Sequence, residues 1–260
     1  MKRGALVAAI AAWLTLAGLL ALAQAAPEES GPFSNWAAVF VAGDWRAHSG
    51  GPSEAFDNAR HDLAEAFIAA GFSRQNVREF STHPERYPDG APFPSQVQTI
   101  ANELASLADP AKTGCLVYFT SHGSPEGAVV GAALLTPAVA KRMLDLTCGT
   151  RPTVVVMSAC FSGVFVPALA GPNRMVLTAA RRDRSSFGCG ESDRYPYFDA
   201  CVLESMGKAQ DFAALGRSAI ACVSRREKEE GLAPASEPQI SIGGELRLEL
   251  PLMPLRSARK

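Results

Sequence analysis

The sequence predicts an α/β fold in three layers, with a mainly parallel central sheet and helices on both of its faces. Two observations lead to this prediction. Several short, almost continuously apolar segments occur along the chain, and such segments are typical of strands that are buried on both sides. Longer segments with helical periodicity separate them, and a helix between two strands is the connection that makes neighbouring strands parallel.

The predicted strands are runs of apolar residues that stop at glycine, serine or alanine, where the chain can turn. Five strands are predicted on this basis, at residues 37–42, 77–80, 115–120, 153–157 and 175–178. Two shorter segments, 128–130 and 132–134, predict a small hairpin. The partial alternation of apolar residues within 238–250 predicts a last strand or hairpin.

The predicted helices lie between these strands. The first spans about residues 54–70, with apolar residues near helical spacing and Gly71 as its C-terminal stop. Thr136 is a suitable N-cap for a helix that ends near residue 146. Further helices are predicted at residues 94–107, 197–206 and 210–229. In an open parallel sheet of this kind, a functional site lies beyond the carboxyl ends of the strands.

The N-terminus predicts a secretory signal peptide. Lys2 and Arg3 precede an apolar run at residues 5–23, and Ala23-Gln24-Ala25 has the small-x-small pattern of a cleavage site. We therefore expect cleavage after Ala25, a secreted or periplasmic protein, and no stable membrane insertion after cleavage. The run is also just long enough to be an uncleaved anchor. The predicted organisation is a signal peptide at 1–25, a short linker at 26–36 and a single domain at 37–260.

Composition narrows the classes of partner and cofactor. The formal net charge is −1 and charged residues make up 20% of the chain, so no basic field predicts binding to nucleic acid. The six cysteines show no CxxC or Cys/His zinc spacing, so neither a metal nor another cofactor is predicted. Disulfides can form in an exported protein, but the sequence leaves their pairing open. If one cysteine stays a free thiol, at least one other must also stay unpaired.

Two strand ends carry residues that suit nucleophilic catalysis. The strand at 115–120 runs into Ser121-His122-Gly123, and the strand at 153–157 runs into Ser158-Ala159-Cys160. Because the carboxyl ends of neighbouring parallel strands lie at the same level, His122 and Cys160 can share one site. A thiolate is a strong nucleophile, and a nearby imidazole can accept or return its proton. A structural cysteine and a loop histidine remain the alternative interpretation.

These segments also resemble a known family. YFTSHG and VVVMSACFSG, together with VLTAARRDRSSFGC after the next strand, are similar to the motifs of legumain-type (family C13) cysteine peptidases of the caspase-like clan. The likeness covers about residues 37–209 in family order. It implies a caspase-like fold and a secreted, bacterial-type member. It further implies that Cys160 is the nucleophile, that His122 is the general acid/base, and that the N–H groups of Gly123 and Cys160 form an oxyanion hole.

The resemblance also implies residues around the dyad. Asn58-Ala59-Arg60-His61 is similar to a family segment in which the asparagine orients the catalytic histidine and the arginine lines the pocket for the residue before the scissile bond. On this basis Asn58 is expected to orient His122, and Arg60 is expected to line the substrate pocket. A turn or early-helix asparagine and a solvated helix arginine are the alternatives.

The chain departs from the family pattern directly after the proposed nucleophile. Legumains usually have glutamate there, which helps to recognise asparagine, whereas this chain has Phe161. Phe161 therefore lines the pocket without giving a reason to expect asparagine specificity. Asp183 is the nearest acidic candidate and predicts a preference for a basic residue, unless the neighbouring arginines pair with it. Ser185 and Ser186 are expected to line the pocket through a hydroxyl or carbonyl group.

The predicted function is that of a cysteine endopeptidase, which acts on peptide or protein substrates through a Cys-His dyad and an acyl-thioenzyme intermediate. The same intermediate allows transpeptidation when an amine outcompetes water. A catalytically inactive, peptide-binding protein with the same fold is the alternative. A thiol-redox protein would usually carry a CxxC pair, which the chain lacks.

Overall fold

The computed structural model describes residues 31–108 and 112–256. The predicted signal peptide and its cleavage site lie outside these residues. Within the two described ranges, no helix has the length and apolar character needed to cross a membrane.

The described chain contains two β-sheets. Their strands are β1 (Trp36–Ala42), β2 (Val77–Ser81), β3 (Phe93–Pro94), β4 (Gly114–Thr120), β5 (Gly123–Ser124), β6 (Gly127–Val130), β7 (Ala133–Leu135), β8 (Thr153–Ser158), β9 (Arg174–Thr178) and β10 (Gln239–Ile242). The central sheet has seven strands in the order β10-β9-β8-β4-β1-β2-β3. Its neighbours are parallel except for β10, which runs antiparallel to β9. The predicted hairpin is confirmed as β6 and β7, and β5 joins it as a third antiparallel strand.

Seven α-helices accompany the strands in the described ranges. They are α1 (Ala55–Ala69), α2 (Val97–Ala108), α3 (Pro137–Thr147), α4 (Val166–Leu169), α5 (Tyr197–Met206), α6 (Phe212–Glu229) and α7 (Gly244–Glu249). Thr136 caps α3 as predicted, because its side chain accepts a hydrogen bond from the N–H of Val139.

Alternate residues of each central strand enter opposite layers of the core. In β1, Ala38 and Phe40 pack with residues of α1, α5 and α6, whereas Val39 and Val41 pack with residues of α2, α3 and α4. All four side chains are 0% exposed. This burial on both faces explains why the strands read as continuous apolar runs. The predicted three-layer α/β architecture, with a mainly parallel sheet between helices, is confirmed.

Two segment predictions are corrected. Phe33 and Trp36 belong to the core rather than to a linker, because their rings pack against each other with centroids 5.2 Å apart. Burial of one such side chain stabilises a fold by about 1.5–3 kcal/mol. Within 238–250, only Gln239–Ile242 is a strand, and the following residues form α7. Leu246 and Leu250 are buried while Leu248 is 77% exposed. Burial four residues apart is typical of a helix, although leucine at every second position resembles a strand pattern.

Two disulfides connect helices to the rest of the fold. Cys115 at the start of β4 is bonded to Cys148 after α3, and Cys201 of α5 is bonded to Cys222 of α6. The two bonds lie in the two opposite core layers. Cys160 and Cys189 are the free cysteines among the described residues, so a free Cys160 does leave a second thiol unpaired.

Candidate active site

The sheet register brings His122 and Cys160 to the same level. Thr120, the last residue of β4, pairs with Ser158, the last residue of β8. Each of these residues is followed two positions later by His122 or Cys160. The two turns also touch, since a Cβ added to Gly123 would lie only 2.1 Å from the carbonyl oxygen of Cys160. Parallel pairing therefore joins two residues that are distant in sequence, and glycine at position 123 permits the close approach.

The turn at Cys160 has an unusual backbone. Phe161 has φ 58° and ψ 9°, in the left-handed region that an aromatic residue rarely adopts. Its N–H donates a 2.7 Å hydrogen bond to the carbonyl of Arg184. Behind the turn, the buried Ser162 hydroxyl accepts a hydrogen bond from the N–H of Ala180, just beyond β9. Strained backbone of this kind persists only when the surroundings fix it, and it is concentrated at functional sites.

His122 is oriented by a backbone carbonyl and an aromatic ring. Its Nε2 lies 2.8 Å from the carbonyl oxygen of Arg46, and its ring meets that of Phe56 edge to face with centroids 5.0 Å apart. A carbonyl can only accept, so Nε2 carries the proton. In the neutral imidazole, Nδ1 is therefore left with its lone pair available as a base.

The contact expected between Asn58 and His122 is not among the hydrogen bonds of the described residues. The side-chain amide of Asn58 donates to the carbonyl of Arg194 at 3.2 Å, and Arg46 and Phe56 hold the imidazole instead. The sequence marked Phe56 only as an apolar position of the first helix. The carbonyl of Arg46 lies in the loop after β1 and is present in every residue type, so no side-chain signal indicates it.

The sulfur of Cys160 is contacted by Ser186. The N–H of Ser186 donates to Sγ at 3.3 Å, and Ser186 Oγ lies 3.5 Å from Sγ. Within the described residues, no hydrogen bond joins the sulfur to the His122 ring, and the N–H of Cys160 donates none. The half-buried sulfur thus has a donor that can stabilise negative charge, and the Cys160 N–H is free to bind a developing oxyanion.

Cys189, the second free thiol, lies three residues after Ser186 in the same loop. Burial raises its pKa to about 11. Cys189 is therefore a neutral thiol at physiological pH and a poor nucleophile. Of the two free cysteines, Cys160 is the one that lies at a strand end beside a histidine.

The other predicted pocket residues have mixed surroundings. Arg60 is only 2% exposed, its Nε donates to Asp57 at 3.0 Å and its Nη1 to Glu79. Its charge is thus already paired. Asp183 is exposed and accepts hydrogen bonds from Arg184 and from both Nε and Nη2 of Arg181.

The pairing of Asp183 lowers its pKa, chiefly through the hydrogen bond from Arg181. Two arginines therefore compete with a basic substrate residue for this carboxylate. Ser185 is exposed and Phe161 is half-buried. The substrate-contacting roles of Arg60, Asp183, Ser185, Ser186 and Phe161 stay predictions.

One cluster away from the dyad has metal-ligand chemistry. His61, Glu65 and Glu79 bring their ligand atoms within 4.8 Å of one another. However, Glu65 receives two hydrogen bonds from Arg74, at 2.7 and 2.6 Å, and Glu79 is bonded to Arg60. These arginines neutralise both carboxylates, so the cluster is better described as an ion-pair network than as a cation site.

A buried carboxylate lies beneath the site and was missed by sequence reasoning. Asp199 in the first turn of α5 is 0% exposed. Burial raises its pKa to about 6, although hydrogen bonds from Thr120, Tyr118 and Ser158 oppose this shift. In the sequence it is one acidic residue near the start of a helix, which is a common position for a solvated carboxylate.

Comparison with known proteins agrees with this geometry. Residues 99–219, which include both His122 and Cys160, match the model of the Peptidase C13 family. The fold is similar to that of caspase-1 from Spodoptera frugiperda, with a TM-score of 0.58 over 84% of this chain and 90% of that chain. The family match and the fold support a legumain-like protein of the caspase fold. Sequence identity to the caspase is 14%, so that likeness concerns the fold alone.

The family match and the fold together support a cysteine peptidase. No curated protein sequence matches the legumain-like protein. Its individual site residues therefore have to be judged from their geometry. The resemblance to the C13 family that was noted from the sequence motifs is confirmed.

Proposed function

We propose that the legumain-like protein is a cysteine endopeptidase that hydrolyses peptide bonds through the dyad of Cys160 and His122. The observation that carries this proposal is the register of β4 and β8, whose paired last residues, Thr120 and Ser158, stand two positions before His122 and Cys160. The two disulfides leave Cys160 unpaired, as a nucleophile must be. The tautomer of His122 that the Arg46 carbonyl favours supports a role for this imidazole as the base.

The reaction divides into two steps. In the first, His122 accepts the thiol proton, Cys160 Sγ attacks the carbonyl carbon of the scissile bond, and the Gly123 and Cys160 N–H groups stabilise the oxyanion. His122 then protonates the leaving amine, and a thioester remains on Cys160. In the second step, a water molecule that His122 deprotonates attacks the thioester, the C–S bond breaks, and the acid product leaves while His122 returns the proton to Cys160 Sγ. An amine in place of water completes transpeptidation, so both outcomes belong to the proposed activity.

The proposed setting is outside the cytosol, and the proposed substrates are peptides or proteins. Two disulfides, Cys115–Cys148 and Cys201–Cys222, favour an oxidising compartment. The signal-like sequence before Ala25 favours export. Export to the periplasm or the medium is thus part of the proposal.

A matched pair of cysteine variants tests the assignment. Cys160→Ala should abolish both cleavage of a peptide library and labelling by a peptidyl acyloxymethyl ketone, because the thioester cannot form. Cys189→Ala removes the other free thiol and should retain both. The library profile of the wild type also reports the residue preferred before the scissile bond, for which Asp183 favours a basic residue.

Two results would count against the proposal. Undiminished cleavage by Cys160→Ala would exclude Cys160 as the nucleophile. A wild-type protein that reacts with no peptidyl probe, while mass spectrometry shows Cys160 reduced, would favour the inactive, peptide-binding alternative.

A further inference from the structure

Asp199 binds two side chains of β4, the strand that leads to His122. Its Oδ1 accepts a 2.6 Å hydrogen bond from the hydroxyl of Tyr118, and its Oδ2 accepts a 2.5 Å hydrogen bond from that of Thr120. Thr120 is the last residue of β4 and pairs with Ser158, the last residue of β8. One carboxylate therefore holds the end of β4 two residues before His122, beside the strand end that leads to Cys160.

The charged groups of the surrounding elements do not compensate this carboxylate. The groups that act on it are the hydroxyls of Tyr118, Thr120 and Ser158. On α1, the buried Arg60 is bonded to Asp57 and Glu79. On α6, the buried Glu227 accepts from the N–H of Ser236. Asp199 therefore rests on neutral hydrogen bonds alone.

An ionised carboxylate in such a place is unfavourable for folding. Desolvation of a buried charge without a counter-ion is costly, and apolar residues of similar volume commonly stabilise a core at least as well. Asp199, Thr120 and Ser158 are 0%, 0% and 3% exposed, so the site offers no solvent to replace the lost hydration. Stability alone gives no reason for a carboxylate at this position, whereas a need to hold the end of β4 in place does.

We propose that Asp199 is a positioning residue for the dyad, whose carboxylate clamps the end of β4 through Tyr118 and Thr120 and so fixes the position of His122 relative to Cys160. This inference rests on the proposed function. Asp199 acts through the strand and touches neither the substrate nor the sulfur. Because Thr120 pairs with Ser158 at the end of β8, a displaced end of β4 would also change its register with the strand that leads to Cys160.

The first test replaces the carboxylate with an amide. Asp199→Asn keeps the shape but presents an NH₂ group to hydroxyls that need acceptors. We expect kcat to fall about tenfold or more with KM nearly unchanged, since misplacement of catalytic groups by about 1 Å can lower rates on the order of 100-fold. The rate of iodoacetamide alkylation of Cys160, followed by peptide mass spectrometry to separate it from Cys189, should fall as well.

The pH dependence separates positioning from packing. Asp199 is ionised above and protonated below a pH of about 6. The ratio of wild-type to Asp199→Asn alkylation rates should therefore be large at neutral pH and approach one as the pH falls below that value. A residue that merely filled space would give a ratio that does not change with pH.

A second, matched pair of variants controls for stability. Thr120→Val and Thr153→Val each remove one hydroxyl from a threonine that is 0% exposed. Thr120 donates to Asp199 at the site end of β4, whereas Thr153 donates to the carbonyl of Arg151 at the opposite end of β8. Thr120→Val should slow Cys160 alkylation, and Thr153→Val should leave it unchanged at a similar loss of stability.

The outcomes keep the two proposals apart. If the wild type cleaves no peptide, the proposed function fails, but the alkylation measurements still test the clamp. The clamp itself is overturned if folded Asp199→Asn alkylates at the wild-type rate at neutral pH, or if Thr120→Val and Thr153→Val slow alkylation equally. If Asp199→Asn does not fold, the threonine pair decides alone.

Discussion

Phe161 shows how one residue can reveal a functional site through its backbone. It has φ 58° directly after the proposed nucleophile, and no residue pattern predicts this because phenylalanine rarely adopts such a backbone. Its conformation turns the chain so that its N–H reaches the carbonyl of Arg184. The loop that carries Ser186 to the Cys160 sulfur is thereby attached to the nucleophile turn. Phe161 thus connects two parts of the site by geometry rather than by side-chain chemistry.

The strain at Phe161 predicts an inverted order of stability for two small substitutions. Phe161→Ala and Phe161→Gly both remove the aromatic ring, but glycine adopts this backbone freely. We expect Phe161→Gly to be more stable than Phe161→Ala by about 1 kcal/mol, as measured by urea denaturation. In regular structure alanine is the more stable of the two, so a more stable alanine variant would contradict strain at this position.

At the scale of elements, the central strands were the most predictable part of the fold. The runs that end at His122 and Cys160 are apolar on both faces, and their burial in the two core layers confirms the reason for the pattern. The last segment was mispredicted because Leu246, Leu248 and Leu250 alternate like a strand although only the first and third are buried. Burial of Leu246 and Leu250 against the rest of the fold favours the helix, and such tertiary contacts are not visible in a local sequence pattern.

The candidate site was predictable only in part for a similar reason. His122, Cys160 and Gly123 follow strand ends, so topology alone brings them together. The contacts from Arg46 and Ser186 come from loops whose paths depend on the whole fold. The buried partner Asp199 lies on a helix far along the chain, and its burial is invisible in a helix-start motif.

The two disulfides are expected to stabilise the fold by joining α3 to β4 and α5 to α6. They close segments with sequence separations of 33 and 21 residues. Loss of either should cost about 2–5 kcal/mol, measured by denaturation of Cys115→Ala/Cys148→Ala and Cys201→Ala/Cys222→Ala. Added reductant should lower the wild-type midpoint toward those of the variants. An unchanged midpoint, with six titratable thiols in place of two, would contradict this.

At the scale of the whole molecule, Asp199 links stability to pH. Its folded-state pKa of about 6 lies above the ordinary value of 3.8, so the folded protein binds this proton more tightly than the unfolded chain does. Its contribution therefore becomes more favourable as the pH falls through about 6 toward 4, and is unfavourable above that window. The full effect is on the order of 3 kcal/mol.

Comparison of the wild type with Asp199→Asn isolates this contribution from the other carboxylates. The free energy of unfolding of the wild type should rise relative to that of the variant between pH 7 and pH 5, as measured by urea denaturation at each pH. Over the same interval, alkylation of Cys160 should slow in the wild type. A constant difference in stability across the interval would show that Asp199 does not titrate there.

The shared register of β4 and β8 has a consequence for how this chain can vary. The dyad is held by the paired ends of β4 and β8, so the length of the connection between β7 and β8 does not set the distance between His122 and Cys160. The turn at Gly149, where nothing lies within 4 Å of an added Cβ, can accept extra length, as exposed turns commonly do. Loss of a single residue inside β8 would instead exchange its two faces and carry the sulfur into a different layer. We therefore expect the fold to tolerate insertions at Gly149 but not a deletion within β8.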